Sequence, residues 1–289
     1  MELIRTIEEF RRVRDEARAA GSLGFVPTMG FLHEGHISLV KMAREQNAVV
    51  AASIFVNPAQ FGPNEDLAAY PRDLERDMEM LEEAGCDLLF HPSPEEMYPP
   101  PKQDVYVVPG DIASRLEGAA RPTHFRGVAT VVIKLFNIVQ PDRSYLGQKD
   151  GQQVAVVRRM MRDLNVPGEL VVGPTVREPD GLAMSSRNTY LTTEERAAAP
   201  VIYRALTDAL DLYRAGQTNA DTLRASIRTT LESAPLVASI DYVSIADPLT
   251  LAEAEGEVVE GAMASTAVQL GKPRLLDNVI LTKSESRGA

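Results

Sequence analysis

Residues 27–36 read PTMGFLHEGH and place two histidines where a predicted apolar strand gives way to a predicted helix. His33 and His36 stand three positions apart, and Gly30 and Gly35 loosen the backbone beside them. The N-terminus of a helix offers N–H groups and the positive end of the helix dipole, which suit a phosphate group. Imidazoles at that place can donate hydrogen bonds to phosphate oxygens as negative charge shifts in a transition state. The stretch therefore indicates phosphate chemistry.

Two other interpretations of the histidine pair stay open. The pair can be structural, as a single histidine at such a place often is, or it can bind a metal ion. The metal interpretation is the weakest of the three, because zinc-protease motifs place their two histidines four residues apart on an established helix.

Further polar side chains follow other predicted strands. Lys149 lies in the sequence GQKD at a predicted strand end, where its charge can neutralise phosphate, although a solvated lysine fits the position equally well. Asn57 and Gln60 lie in a loop rich in proline and glycine, and Gln153 lies in a predicted helix. Their amides can bind the hydroxyl or carboxylate groups of a small polar substrate, but surface amides are common.

Two more groups of residues have a functional and a structural interpretation. Residues 184–187, MSSR, combine two hydroxyls with a guanidinium and can clamp phosphate, but they also fit a serine turn ahead of the capping box at Thr192. Asp73 and Asp77 share one face of the helix predicted over 71–84. They can hold a magnesium ion through water, although an exposed helix face is the simpler explanation.

The composition excludes several classes of protein. The 289 residues include 30 Lys and Arg against 41 Asp and Glu, and the net charge of −11 disfavours general binding to nucleic acid or to anionic membranes. Cys86 is the single cysteine, so no intrachain disulfide is possible and we expect a cytoplasmic protein. We expect neither an export signal nor a membrane span, because no apolar run reaches about 18 residues. Gly-x-Gly-x-x-Gly and Walker-type loops are absent, so nucleotide binding of those kinds is unsupported.

The spacing of apolar residues predicts alternating strands and helices over residues 1–175. This alternation predicts an α/β domain, a parallel sheet with helices on both faces, in which ligands bind beyond the carboxyl ends of the strands. The continuous apolar run over 48–56 predicts a strand covered on both faces, and we also expect a strand over 105–108. Residues 176–289 predict a smaller α+β domain, which begins with a long helix ending near Gly216.

Five motifs together resemble those of the pantothenate synthetase (pantoate–β-alanine ligase) family, a member of the nucleotidylyltransferase superfamily. They are PTMGFLHEGH at 27–36, IFVNPAQFGPNEDLAAYPR at 54–72, RPTHFRGVATVV at 121–132, YLGQKDGQQ at 145–153 and MSSRN at 184–188. The resemblance covers nearly the whole chain and implies a Rossmann-like fold of the HxGH type with a smaller C-terminal lid domain. It also implies that ATP drives the condensation of pantoate with β-alanine, through a pantoyl adenylate and with release of AMP and pyrophosphate.

The resemblance implies a catalytic role for four residues. His36 would be the proton donor, with His33 beside it, and Lys149 and Arg187 would act on the phosphates. Residue 183 is alanine, so the first lysine of the synthetase KMSKS pattern is absent and Arg187 must carry the charge of that loop. The residues implied to contact ATP are Met29, Gly30, Phe31, Leu32, His33, Glu34, Gly35, His36, Gly147, Gln148, Lys149, Asp150, Val176, Met184, Ser185, Ser186 and Arg187.

The resemblance also implies the substrate contacts and the assembly. Gln60, Gln153 and Asn57 would bind pantoate and β-alanine, and Asp77 would lie in the region of the Mg²⁺ that accompanies ATP. The loop over 57–64 is a candidate lid, because the adenylate must be kept from water. The family is usually homodimeric, and we expect the same of this chain.

Three rival functions share part of these features. A nucleotidyltransferase that adenylates a phosphate ester would need the histidine pair but would not need Gln60 and Gln153 to bind a carboxylic acid. A histidine-dependent metal hydrolase would bind zinc through His33. A non-catalytic ATP sensor would release no AMP.

Overall fold

The computed structural model describes residues 1–62, 65, 67–100 and 103–283. The described residues divide into two compact units, each built around a sheet of its own. The first unit comprises Met1–Ser114, Arg121–Gly147 and Val156–Pro174. The second unit comprises Arg115–Ala120, Gln148–Ala155 and the described residues from Thr175 onward.

The first unit is built on a parallel sheet. Its strands are β1 (Glu2–Ile4), β2 (Leu23–Thr28), β3 (Val49–Ile54), β4 (Leu88–Phe90), β5 (Arg143–Gly147) and β6 (Glu169–Gly173). In the described part of the chain these strands form one six-stranded sheet in the order β1-β4-β3-β2-β5-β6, and all neighbours are parallel. The predicted α/β architecture is thereby confirmed.

The centre of this sheet sets the position of two candidate loops. Every residue of β3 is buried, as the apolar run over 48–56 predicts, because helices cover both faces of a parallel sheet. The register between β2 and β3 pairs Thr28 with Ile54, so the two strands end side by side. The histidine pair follows Thr28 and Gln60 follows Ile54, so the fold brings these two loops to the same edge of the sheet.

Helices alternate with the strands in this part of the chain. They are α1 (Ile7–Ala17), α2 (Glu34–Gln46), α3 (Leu74–Glu83), α4 (Pro94–Met97), α5 (Glu117–Ala120), α6 (His124–Val139) and α7 (Gly151–Asp163), of which α5 and the start of α7 belong to the second unit. Polar side chains fix the helix starts: Thr6 Oγ1 accepts the Glu9 N–H at 3.3 Å, and Asp73 accepts the Arg76 N–H at 3.2 Å. Asp77 lies one turn further along α3, on the buried face of that helix.

The second unit combines α8 (Thr193–Ala198), α9 (Val201–Arg214) and α10 (Ala220–Glu232) with β7 (Val237–Ala246), β8 (Met263–Leu270) and β9 (Arg274–Ile280). Among the residues described, the strands form a three-stranded antiparallel sheet in the order β7-β8-β9. Leu206 of α9 and Ile227 of α10 belong to the same buried apolar core as Val268 of β8. The smaller α+β architecture expected from the sequence is confirmed.

Two expectations about local structure are wrong. The long helix expected after Thr192 is interrupted at Pro200, between α8 and α9, because proline has no N–H to continue the hydrogen-bond ladder. Residues 105–108 pair with no strand in the described chain, and Val105 and Val108 are exposed. Within the described residues, every helix is too short or too polar to span a bilayer.

Candidate active site

The loop after β2 turns sharply, because it begins with two residues in left-handed conformations. Gly30 has a φ of 82° and Phe31 a φ of 50°. A Cβ at Gly30 would lie 2.9 Å from Cγ2 of Ile54, so only glycine fits this position. Thr28 Oγ1 accepts the Gly30 N–H at 3.1 Å and donates to the carbonyl oxygen of Ser53 at 2.7 Å. These contacts tie the start of the loop to β3.

The carboxylate of Asp77 receives the next two main-chain N–H groups of the loop. The Phe31 N–H donates to Oδ2 and the Leu32 N–H donates to Oδ1, each at 2.7 Å. Successive N–H groups around left-handed residues converge and form an anion-binding concavity, and the anion bound in this one is a side chain of the protein. The Asp77 side chain is 1% exposed, and burial raises its pKa above the ordinary value although the two hydrogen bonds oppose that shift.

His33 and His36 lie against each other at the start of α2, with ring centroids 4.1 Å apart. Nδ1 of His33 accepts the Gly35 N–H at 3.2 Å, and Nδ1 of His36 accepts the His33 N–H at 3.4 Å. The two imidazoles thereby form a capping box, in place of the usual serine and glutamate. Because both Nδ1 atoms accept hydrogen bonds, the network assigns both rings the tautomer with hydrogen on Nε2.

Hydrogen bonds within the loop reduce the number of main-chain N–H groups that it could direct to a phosphate. The main-chain N–H groups of Gly30, Phe31 and Leu32 are directed to Thr28 or Asp77. A phosphate at this loop would therefore have to be met by the imidazoles and not by these three N–H groups, and imidazole N–H groups are suitable donors to phosphate.

A cavity of about 590 Å³ lies against the same loop within the first unit. Met29, Gly30, Phe31 and Asp77 line it on one side. Residues at the ends of β1, β3 and β4 and at the start of α3 complete the lining. On this side, the loop therefore borders open space.

Gln60 lies in the short 3-10 helix Pro58–Gln60 after β3 and is buried. Its Nε2 lies 2.9 Å from the Met29 sulfur, and its Oε1 accepts a hydrogen bond from Asn57 Nδ2 at 3.1 Å. The structure thus brings a residue predicted to bind substrate into contact with a residue predicted to bind ATP.

Asn57, which the family resemblance implies to bind substrate, is buried and 1% exposed. Its Nδ2 donates to Gln60 and to the Gly127 carbonyl oxygen at 3.2 Å, and its Oδ1 accepts the Tyr98 hydroxyl at 2.7 Å and the Ala59 N–H at 3.3 Å. These four hydrogen bonds use every donor and acceptor of the amide. Asn57 therefore helps to orient Gln60, and a substrate bound by Asn57 would have to replace one of these partners.

The basic stretch 121–127 supports the short 3-10 helix Pro58–Gln60, here called the Gln60 turn. Nε of Arg121 donates to Glu65 at 2.8 Å, and Nδ1 of His124 donates to the Gln60 carbonyl oxygen at 3.0 Å. Burial disfavours the charged form of Glu65, but the hydrogen bond and the charge of Arg121 outweigh it and lower the Glu65 pKa below its ordinary value. The Arg121 and His124 side chains are thus bonded to the chain itself.

Helix α6 approaches the same turn so closely that Gly127 has no room for a side chain. A Cβ at Gly127 would lie 2.2 Å from the carbonyl oxygen of Ala59. The candidate lid over 57–64 therefore begins as a fixed turn, and its positions 63 and 64 lie outside the described residues.

In the second unit, Asn278 of β9 holds the turn Gln148–Asp150 that carries Lys149. Nδ2 of Asn278 donates to the carbonyl oxygens of Gln148 and Lys149, and its Oδ1 accepts Gln148 Nε2, all at 2.9 Å. The Lys149 ammonium lies 3.2 Å from the Asp150 carboxylate, and the lysine side chain is 22% exposed. The main chain of the turn is therefore fixed, while the lysine side chain stays partly exposed beside Asp150.

The serine-arginine segment of the second unit adopts the predicted serine turn. Ser185 Oγ accepts the Arg187 N–H at 3.3 Å and caps the short 3-10 helix Ser186–Tyr190. The Met184 N–H donates to the Val176 carbonyl oxygen at 3.0 Å. The residues predicted to clamp phosphate thus stand on an ordered backbone.

Arg177 connects this segment to β9. Its guanidinium donates to both oxygens of Asp277, at 2.6 and 3.1 Å, and lies 3.8 Å from the ring centroid of Tyr203. Asp277 and Asn278, adjacent on β9, thus hold both segments that carry predicted ATP-binding residues in this unit. Sequence reasoning missed Asp277 and Asn278, because polar residues in a short strand give no sign of their partners.

Gln153 lies on α7 and is half-buried. Its neighbour Gln152 is buried and bonds to the main chain of Arg115 and Glu117, each at 2.9 Å. The amide of Gln153 makes no hydrogen bond within the described part of the chain. The two neighbouring glutamines therefore differ, and Gln153 is the one with donors and acceptors to offer to a ligand.

The described residues contain no group of three His, Cys, Asp or Glu side chains that could hold a metal ion. Both oxygens of Asp77, the residue expected near magnesium, already accept main-chain N–H groups. Magnesium is coordinated octahedrally, usually by one or two carboxylates and several water molecules. Because the buried Asp77 already uses both oxygens on N–H groups of the chain, it does not fit a resident magnesium site.

Comparison of the sequence with protein families decides the assignment. Residues 2–280 match the family described as Pantoate-beta-alanine ligase. The chain belongs to the pantoate–β-alanine ligase family. This membership confirms the family resemblance of the five sequence motifs and makes the chain a ligase of pantothenate biosynthesis.

Relatives of the ligase family match over nearly the full length. The pantothenate synthetase of Chloroflexus aurantiacus is 59% identical over 281 residues, which cover 97% of this chain and 98% of that protein. The crystal structure of pantothenate synthetase from Thermus thermophilus is 48% identical, with a TM-score of 0.92 over 98% of this chain and 100% of that one. The pantoate–β-alanine ligase of Francisella tularensis, complexed with beta-gamma ATP and β-alanine, is 37% identical, with a TM-score of 0.79 over 97% of each chain.

Proposed function

We propose that the chain condenses pantoate with β-alanine to form pantothenate, using ATP. One carboxylate oxygen of pantoate attacks the α-phosphorus of ATP, which forms pantoyl adenylate and releases pyrophosphate. The amine of β-alanine then attacks the acyl carbon, which breaks the bond to AMP and forms the amide. The full-length match to the ligase family carries this proposal. The relative from Francisella tularensis, complexed with beta-gamma ATP and β-alanine, supports two of the three substrates.

The histidine pair fits the first step. Transfer of an adenylyl group is limited by alignment and by charge on phosphate oxygens, so hydrogen-bond donors aimed at phosphate lower its barrier. His33 and His36 carry hydrogen on Nε2, and the hydrogen bonds at Nδ1 fix the orientation of both rings. We assign His36 the place of the family's proton donor, where its Nε2–H donates a hydrogen bond to a phosphate oxygen, with His33 as the second donor beside it.

Lys149 and Arg187 supply positive charge in this proposal. The side chains of Lys149 and Arg187 neutralise the phosphates, because ammonium and guanidinium groups donate hydrogen bonds and positive charge to phosphate oxygens. No protein nucleophile is required, since the carboxylate of pantoate attacks directly. The remaining proposed ATP contacts are Met29, Gly30, Phe31, Leu32, Glu34, Gly35, Gly147, Gln148, Asp150, Val176, Met184, Ser185 and Ser186.

Two glutamines are proposed to bind the organic substrates. Gln60 is held in place by Asn57 and by its contact with Met29, and it binds pantoate and lies near β-alanine. Gln153 has an amide that makes no hydrogen bond within the described residues, and it binds pantoate. Uncharged amides suit both the hydroxyls and the carboxylate of pantoate.

Magnesium enters this proposal as the ion that accompanies ATP. It would neutralise charge on the phosphate chain. The residues described provide no cluster that would hold the ion without the nucleotide.

We further propose that the enzyme is a homodimer and acts in the cytoplasm, where ATP is made and used. Sedimentation should give about twice the chain mass of 31.6 kDa. A mass equal to that of one chain at the concentration of the assay would contradict the dimer.

Exchange of labelled pyrophosphate into ATP tests the proposed reaction. With ATP and pantoate present and β-alanine absent, the enzyme should exchange label, because only the first step runs and reverses. A nucleotidyltransferase acting on a phosphate ester would exchange label without a response to pantoate, and an ATP sensor would exchange none. Either result would overturn the ligase proposal.

A further inference from the structure

Asp77 lies directly beneath the loop that carries the histidine pair. We infer that Asp77 is a positioning residue: its carboxylate holds the turn at Phe31 and Leu32, so that His33 and His36 start α2 in the geometry the reaction needs. Asp77 then serves the proposed ligase as the internal anion of its histidine loop and not as a ligand of magnesium. The kinetic consequences rest on the proposed function, whereas the structural consequence does not.

The conformation of the turn shows why it must be held. Phe31 has a φ of 50°, which is unfavourable for a residue with a side chain and persists only where the surroundings impose it. Gly30, at a φ of 82°, lies so close to α3 that a Cβ there would be 3.1 Å from Oδ2 of Asp77. The strained turn and the carboxylate are therefore in direct contact.

The two hydrogen bonds to Asp77 restrain this side of the loop. The cavity of about 590 Å³ lies against Met29, Gly30 and Phe31, where packed side chains would otherwise support them. The guanidinium of Arg76 lies 5.5 Å from the ring centroid of Phe31 and adds a weaker contact. Loss of the carboxylate would leave the turn next to open space into which it can relax.

The carboxylate is itself well anchored. Asp77 lies on the second turn of α3, where its N–H donates to the carbonyl oxygen of Asp73 at 3.0 Å. Its side chain is 1% exposed, so the two N–H groups replace the water that a surface carboxylate would bind. A rigid helix thus sets the position of the loop that starts α2.

Hydrogen exchange of the enzyme without nucleotide gives the structural test. In the wild type, the amides of Phe31 and Leu32 should be protected, whereas Asp77→Asn turns one N–H acceptor into a donor and should speed their exchange about tenfold or more. Glu79→Gln, an exposed acid-to-amide change on the same helix, should leave both amides unchanged. Unprotected Phe31 and Leu32 amides in the wild type, or wild-type exchange in Asp77→Asn, would overturn the inference.

Steady-state kinetics separate positioning from metal binding. Positioning predicts that Asp77→Asn lowers kcat about tenfold or more, while the magnesium concentration for half-maximal activity stays within about twofold of the wild type. A metal ligand predicts the reverse, a higher magnesium requirement with kcat restored at saturating magnesium, and that outcome would overturn the inference. If the wild type shows no ligase activity, the proposed function fails, and hydrogen exchange still decides the role of Asp77.

Discussion

The side-chain amide of Asn278 donates a hydrogen bond of 2.9 Å to the main-chain carbonyl oxygen of Lys149, which lies 129 positions earlier in the chain. The same amide also bonds to the main chain and the side chain of Gln148. The last strand of the second unit therefore fixes the turn that presents the proposed phosphate-binding lysine.

Replacing Asn278 should impair the enzyme through Lys149. Asn278→Ala removes three hydrogen bonds that hold the turn, so kcat/KM for ATP should fall about tenfold. A double-mutant cycle tests whether Asn278 acts through Lys149. If it does, Asn278→Ala should add little to the loss of kcat/KM already caused by Lys149→Ala. Fully additive losses in the double variant would show that Asn278 acts elsewhere.

The close contact between α6 and the Gln60 turn predicts a large effect of one methyl group. Gly127→Ala would place a Cβ 2.2 Å from a carbonyl oxygen. The free energy of unfolding should fall by about 1–3 kcal/mol, because the helix and the turn must separate. Gly110→Ala is the matched control, since nothing lies within 4 Å of its added Cβ. Equal urea midpoints for the two variants would contradict the contact.

The capping role of His33 can be separated from its role in catalysis. Asparagine is a good N-cap residue but lacks the Nε2–H donor, so His33→Asn should keep the stability of the wild type and lose about 10²-fold in adenylate formation. His33→Ala should lose the same activity and also about 1 kcal/mol of unfolding free energy. If His33→Asn turned over at the wild-type rate, the proposed role of His33 in adenylate formation would be wrong.

Cys86 should be chemically inert in the folded protein. Burial, with the negative charge of Asp87, raises the pKa of its thiol to about 12, and the residue is 4% exposed. Because the pKa is raised, the thiol stays protonated at pH 8, and iodoacetamide should modify it only after unfolding in urea. Rapid stoichiometric alkylation of the native enzyme at pH 8 would contradict this burial.

The sequence predicts those features that depend on neighbours along the chain. The buried strand β3 follows from one apolar run, and the serine turn at Ser185 follows from residues within three positions. The histidine pair indicates a helix N-terminus because both rings belong to that first turn. Periodicity and local turn chemistry are sufficient for such elements.

Features that depend on distant partners could not be predicted. Asp77 is separated from Leu32 by 45 positions, and nothing in its own helix shows that the loop donates to it. The four hydrogen bonds around the Asn57 amide are visible only in three dimensions, because two of their partners, Tyr98 and Gly127, lie far along the chain. The three-residue strand β1 is too short to show a period, and its pairing with β4 defines it. Long-range hydrogen bonds thus decide which polar residues support others and which can meet a ligand.

Transfer of oxygen from pantoate to AMP tests the adenylate intermediate most directly. Pantoate labelled with ¹⁸O in its carboxylate should be converted with ATP and β-alanine, and the AMP released should be analysed by mass spectrometry. The adenylate predicts one ¹⁸O in each AMP, because the oxygen that attacks the α-phosphorus leaves with it when the amide forms. AMP without ¹⁸O, or label found in pyrophosphate or inorganic phosphate, would contradict the proposed mechanism.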